Sequence, residues 1–89
     1  MIYKIQYTKK ALSELQKLPI EITKRIVEKI TFFSKQENPM IYAKKLIHPK
    51  YGEYRFRIGD YRVIIDKNED NTITILYILT IKHRKDIYT

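Results

Sequence analysis

Polar and apolar residues alternate through Tyr54–Ile58 and again through Tyr61–Ile65, on either side of Gly59-Asp60. A glycine-led pair between two alternating runs is the signal of a two-residue β-hairpin turn. With only Gly59 and Asp60 in the turn, Ile58 faces Tyr61, Phe56 faces Val63 and Tyr54 faces Ile65, all on one face, which reads as core. The other face then sets Arg57 opposite Arg62, with Arg55 one step along. Like charges directly opposite each other destabilise a sheet, so this face is either open to solvent or meant for an anion. Glu53 and Asp66 face each other at the far end, within diagonal reach of Arg55.

The flanking pattern supplies what covers such a hairpin. Met1–Tyr7 alternates, with Tyr3, Ile5 and Tyr7 inward, and reads as a strand. Thr8 is placed to cap a helix carrying Ala11, Leu12, Leu15 and Leu18 until Pro19 interrupts. A second helix runs from about Ile20 to Gln36, with Ile22, Ile26, Ile30 and Phe33 inward, joined by Val27, and ends at Asn38-Pro39. So short a Pro-containing link predicts an antiparallel αα-hairpin. Met40–Gly52 lacks a steady period and reads as a connection with a helical turn near Ala43–Lys45, anchored by Leu46. Lys67–Asn71 reads as a polar turn. In Thr72–Ile81, Ile73, Ile75, Tyr77, Leu79 and Ile81 fall on one side and Leu76 and Ile78 on the other, so this strand is apolar on both faces and belongs in the centre of a sheet. The expected fold is α+β, a single domain over residues 1–89. Its four-stranded sheet runs from the arginine strand through the Tyr61 strand and the central strand to the N-terminal strand, helices covering one face.

Composition narrows the chemistry. The chain has 89 residues, 44% hydrophobic and 12% aromatic, suited to a small globular domain. It has no cysteine, which excludes disulfides and thiolate chemistry. Neither a secretory leader nor an apolar run of membrane-spanning length is present, and a cytoplasmic location is expected. The net charge of +8 draws the protein toward nucleic acid, an acidic protein or an anionic surface. Residues 1–52 hold ten lysines and one arginine, Arg25, whereas residues 53–89 hold three lysines and four arginines. The planar guanidinium grips phosphate or carboxylate in two places, so this change of cation marks an anion site. Two histidines and no tight carboxylate cluster offer no metal site.

After the central strand comes Lys82-His83-Arg84-Lys85-Asp86-Ile87-Tyr88. A helical hairpin, then Tyr54-Arg55-Phe56-Arg57-Ile58-Gly59-Asp60-Tyr61-Arg62-Val63-Ile64, an apolar strand and His83-Arg84-Lys85-Asp86-Ile87-Tyr88, resembles the RelE family of bacterial and archaeal toxins along essentially the whole chain. The resemblance implies the toxin of a type II toxin–antitoxin pair, inhibited by a cognate antitoxin. Such a toxin enters the ribosomal A site and cuts messenger RNA there, using the RNA's own 2′-hydroxyl, with neither metal nor cofactor. Carried over by position, Arg55, Arg57 and Arg62 contact the scissile phosphate. Tyr88 activates the 2′-hydroxyl or stacks on a base, and His83 protonates the leaving 5′-oxygen. Lys82, Arg84 and Lys85 clamp RNA backbone, though Lys85 reads equally well as a solvated tail residue. Well-known members carry lysines where this chain has Arg55 and Arg57. Arginine does not shuttle protons, so the substitution favours charge stabilisation over lysine acid–base chemistry. Two other readings share the scaffold: a ParE-like inhibitor of DNA gyrase, which needs no acid–base residue, and an inactive basic binding module. His48 reads as a turn residue, while Tyr42 and Tyr51 are undecided.

Overall fold

In a computed structural model that describes residues 2–47 and 52–87, five strands form one sheet. They are β1 (Ile2–Tyr7), β2 (Ala43–Lys45), β3 (Tyr54–Ile58), β4 (Tyr61–Asp70) and β5 (Ile73–His83), ordered β1-β5-β4-β3-β2. β1 runs parallel to β5 and the other neighbours are antiparallel. Helices α1 (Lys9–Lys17) and α2 (Ile20–Ser34) cover one face, and a single turn, α3 (Arg84–Ile87), follows β5. The expected α+β class and the order of the four expected strands hold, with β2 added outside β3. Among the described residues no helix is long and apolar enough to cross a membrane.

Helix spacing places Ala11 and Leu15 of α1 and Ile26, Ile30 and Phe33 of α2 in the core. They pack with Phe56, Ile58, Val63, Ile65, Leu76, Ile78 and Ile81 of the sheet. Thr8 caps α1, its Oγ1 accepting from the Ala11 N–H at 3.1 Å and donating to the Leu79 carbonyl at 3.0 Å. Leu12, expected inward, is exposed, because a nine-residue helix turns only a narrow stripe to the sheet. Thr23 of α2 donates to the Leu15 carbonyl at 2.6 Å and ties the two helices across Pro19.

Three local expectations are corrected. Ala43–Lys45 is a strand, not a helical turn; the helical piece is the 3₁₀ turn Pro39–Tyr42 just before it, where Asn38 Oδ1 accepts from the Met40 N–H. Lys67–Asp70 is not a turn but the end of β4, paired with Ile73–Leu76, and the turn is only Asn71-Thr72, with Asn71 at φ +50°. The long apolar β5 holds these polar residues in extended form by backbone pairing, which overrides their turn propensity. Tyr77 pairs with Asp66 on the face away from the helices, whereas Tyr3, Tyr7, Tyr54 and Tyr61 pack against the core as expected.

Tyr7 has a buried hydroxyl without a hydrogen-bond partner among the described residues, and burial pushes its phenol above the ordinary 10.0. The fold thus prefers the neutral phenol, a preference fully expressed below pH 10 and lost as pH rises through the raised value. Tyr7→Phe should unfold at the same urea concentration at pH 7 or gain up to about 1 kcal/mol. It should also resist alkali better than the parent, as urea melts at pH 7 and 10.5 will register.

Candidate anion-binding face

The hairpin has the predicted register, Ile58 to Tyr61, Phe56 to Val63 and Tyr54 to Ile65, with Arg57 directly opposite Arg62. Gly59 takes φ +59° and Asp60 stays at negative φ, as in a type II′ turn. Beyond Arg62 the ladder continues to Lys82 of β5, and on the other side Lys44 of β2 faces Arg55. Arg57, Arg62 and Lys82 therefore form a row across three strands, spaced about 4.8 Å apart at the backbone.

Arg62, the middle member, is only 3% exposed. Its Nη1 donates to the Gly59 and Tyr61 carbonyls, each at 3.3 Å, and its buried Nε has no partner among the described residues. Arg57 is exposed, while Arg55 and Lys82 are half-buried. The other two arginines gather at the turn. Arg84 Nε lies 3.7 Å from Asp60 Oδ1, and the Arg25 guanidinium sits where a side chain at Gly59 would have to go. All five arginines of the chain thus converge on one hairpin. At its far end Glu53 and Asp66 are engaged with backbone: Asp66 Oδ1 accepts from the Glu53 N–H at 2.9 Å, and Glu53 Oε1 accepts from the Lys67 N–H at 3.4 Å.

The sequence pattern put residues 73, 75, 77, 79 and 81 on one side of the last strand. The structure breaks that alternation. Ile65 pairs with Ile78, but Ile64 pairs with Thr80, so Leu79 is an extra residue, a β-bulge. Past the bulge each side chain changes face. Ile81 turns into the core opposite Val63, His83 lies opposite Tyr61 with ring centroids 5.2 Å apart, and Lys82 joins the arginines. The structure brings Arg55, Arg57, Arg62 and Lys82 together on the open face and does not bring His83 to it. The His83 Nδ1 instead accepts from the Lys85 N–H at 3.2 Å. Arg84 and Lys85 lie in α3, both exposed. Tyr88, His48 and Tyr51 lie outside the described residues.

Glu14 of α1 supports the bulged strand. β1 leaves the sheet after Tyr7, which pairs with Ile78. From there Glu14 Oε1 accepts from the Ile81 N–H at 3.0 Å and from the Thr80 hydroxyl at 2.6 Å. Both donors belong to buried residues. Glu14→Ala leaves them unpaired and should cost about 2 kcal/mol, whereas Glu14→Gln keeps an acceptor and should cost under about 1 kcal/mol. Equilibrium unfolding of the two variants measures the difference.

The cation row is walled on its apolar side. Ile64, on the open face opposite Arg55, is only 2% exposed. Gly52 packs on it: a Cβ there would lie 2.5 Å from Ile64 Cγ2 and 3.0 Å from Leu79 Cδ1. The Leu46 N–H donates to the Glu53 carbonyl at 2.9 Å, and the Glu53 N–H to the Ile65 carbonyl at 3.2 Å, which brings both ends of the β2–β3 connection onto the sheet. The roles of Glu14, Lys44 and Gly52 depend on pairing that no local sequence pattern displays. Among the described residues no three His, Asp or Glu side chains gather as a metal site would need.

The family model described as ParE toxin of type II toxin–antitoxin system, parDE, matches residues 5–88. Toxin RelG of Mycobacterium tuberculosis is 32% identical over 88 residues, covering 99% of this chain and 98% of that protein. Among solved structures, the toxin–antitoxin complex RelBE2 of M. tuberculosis contains a chain with TM-score 0.75 and 27% identity, covering 94% of this chain and 100% of that one. The RelB–RelE complex of Methanococcus jannaschii gives TM-score 0.63 at 28% identity, over 92% and 93% of the two chains. The archaeal RelE–RelB complex of Pyrococcus horikoshii gives 0.66 at 28%, over 94% and 97%. With its hairpin register, helix-covered sheet and near full-length matches, the chain belongs to the ParE toxin family of type II toxin–antitoxin systems, within the RelE/ParE superfamily.

Proposed function

We propose that this toxin is a ribosome-dependent endoribonuclease that cuts messenger RNA in the ribosomal A site without a metal, and that a cognate antitoxin holds it inactive. The carrying observation is the row Arg57, Arg62 and Lys82 with Arg55 beside it. In the reaction a 2′-oxygen attacks the adjacent phosphorus and the bond to the 5′-oxygen of the next nucleotide breaks. A cyclic phosphate and a free 5′-hydroxyl remain. Negative charge builds on the non-bridging oxygens, and fixed cations aimed at them lower the barrier. Arg57 and Lys82 meet the phosphate from its two sides, and the buried Arg62 acts between them where the dielectric is low. Lys82 is the member of the row able to give a proton to the leaving 5′-oxygen, and the role proposed for Tyr88 is to take the proton of the 2′-hydroxyl. An antitoxin acidic where it meets this +8 chain would encounter it quickly.

The match to a ParE family model, together with His83 turned away from the arginines, favours a second reading as a non-enzymatic gyrase inhibitor. Cell-free translation with mapping of new messenger ends separates the two. Cuts that require ribosomes and leave cyclic phosphate support the nuclease; intact messenger at a dose that arrests growth, with loss of gyrase supercoiling, supports the inhibitor. In the same assay Lys82→Met should lower cleavage about a hundredfold, while His83→Ala should stay within about tenfold of wild type. The reverse order would mean that the tail turns over to bring His83 to the phosphate.

A further inference from the structure

The cation field does not stop at the scissile row. On its β2 side a cleft of about 60 Å³ is lined by Tyr42, Lys44, Arg55 and Arg57. Tyr42 is the one aromatic wall, 38% exposed. Its ring stacks on Phe33 at 4.6 Å and 17°, and Phe33 in turn contacts the core ring of Phe56 at 4.8 Å. The exposed Phe32 meets Tyr42 edge-on at 6.4 Å, with the Lys29 ammonium 5.3 Å from the Phe32 ring. An exposed aromatic ring held rigid by the core, beside three basic side chains, is an unusual element for a sheet edge. Lys44 and Arg55 stand directly opposite each other across the strands, a like-charge pair that an anion between them would favour.

We infer that this cleft is a second RNA subsite, in which a nucleobase near the scissile phosphate stacks on Tyr42 while Lys44 and Arg55 hold the phosphate attached to it. The inference rests on the nuclease reading and adds the path of the substrate. Single-stranded RNA binds where a basic track runs beside aromatic platforms, each base using its π-face. Here the track crosses the strands from Lys82 through Arg62 and Arg57 to Arg55 and Lys44, three strand spacings of about 4.8 Å. That length suits about two to three nucleotides of extended backbone. RNA is favoured over an acidic peptide because the aromatic wall and the cations line one cleft, which pairs a flat apolar ligand with a phosphate.

A pentaribonucleotide with every 2′-hydroxyl methylated, and therefore not cleavable, carries 2-aminopurine two positions from the central phosphate. Wild type should bind it and quench its fluorescence by stacking. Tyr42→Ala should weaken binding about tenfold and abolish the quench, Tyr42→Phe should retain both, and Lys44→Met should weaken binding and flatten its salt dependence. Far-UV circular dichroism and melting of each variant establish that it is folded. Equal binding and quenching by Tyr42→Ala overturns the subsite, as does a wild type that does not bind the oligonucleotide. Loss of antitoxin affinity in Tyr42→Ala with RNA binding unchanged also overturns it and assigns the platform to protein. Ribosomal messenger cleavage by wild type, scored separately, tells failure of the subsite from failure of the nuclease reading.

Discussion

Arg62→Met is expected to lower messenger cleavage about 10²- to 10³-fold, the usual loss when one fixed donor to developing charge is removed, and to leave the fold at least as stable. Methionine keeps most of the volume in a site only 3% exposed, so no large cavity opens. It removes the central charge of a row in which Arg57 and Lys82 stand directly opposite on either side. Relief of that repulsion offsets the lost bonds to the Gly59 and Tyr61 carbonyls. Urea unfolding at low salt should therefore show a gain, or no loss, for the variant, and the gain should shrink at high salt as the wild-type repulsion is screened. If Arg62 were instead the partner of a buried acid, its removal would cost about 3–5 kcal/mol and salt would matter little. Wild-type cleavage by Arg62→Met would sink the assignment of the row to the phosphate.

Gly52→Ala is the substitution expected to harm stability most. At φ +151° Gly52 occupies backbone space that L side chains rarely adopt, and an added Cβ would overlap Ile64 Cγ2 at 2.5 Å. Strain and overpacking together should cost about 3 kcal/mol, which for a domain of this size lowers the melting temperature by about 15 °C. Calorimetry measures it directly. Ile64→Ala removes the methyl that the new Cβ meets, so in that background Gly52→Ala should cost distinctly less, a coupling that a double-mutant cycle isolates. An unchanged melting temperature in the single variant would mean that this connection does not rest on the sheet.

The hairpin was legible because everything that determines it is local: the turn pair, the period of two and the choice of arginine lie within 14 residues. The helices were legible for the same reason, in Thr8, Pro19 and the stripe Ile26, Ile30 and Phe33. Strand β2 was not, because three residues carry no period and Lys44 becomes part of the site only through its pairing with Arg55. Nor was the place of Lys82 and His83. A local alternation rule reads Ile73 to His83 as one unbroken strand, and the interruption at Leu79 goes with where β1 turns away and with the Glu14 carboxylate, which accepts from the N–H of Ile81, 67 residues away in the chain.

That interruption acts on the tail much as an inserted base acts on a reading frame. Every side chain after Leu79 is presented out of phase with the strand before it, and the phase decides whether an ammonium or an imidazole stands on the open face beside Arg62. Two chains with the same residues at 80–83, one of them lacking a single residue before that point, would present different side chains on the open face of the sheet.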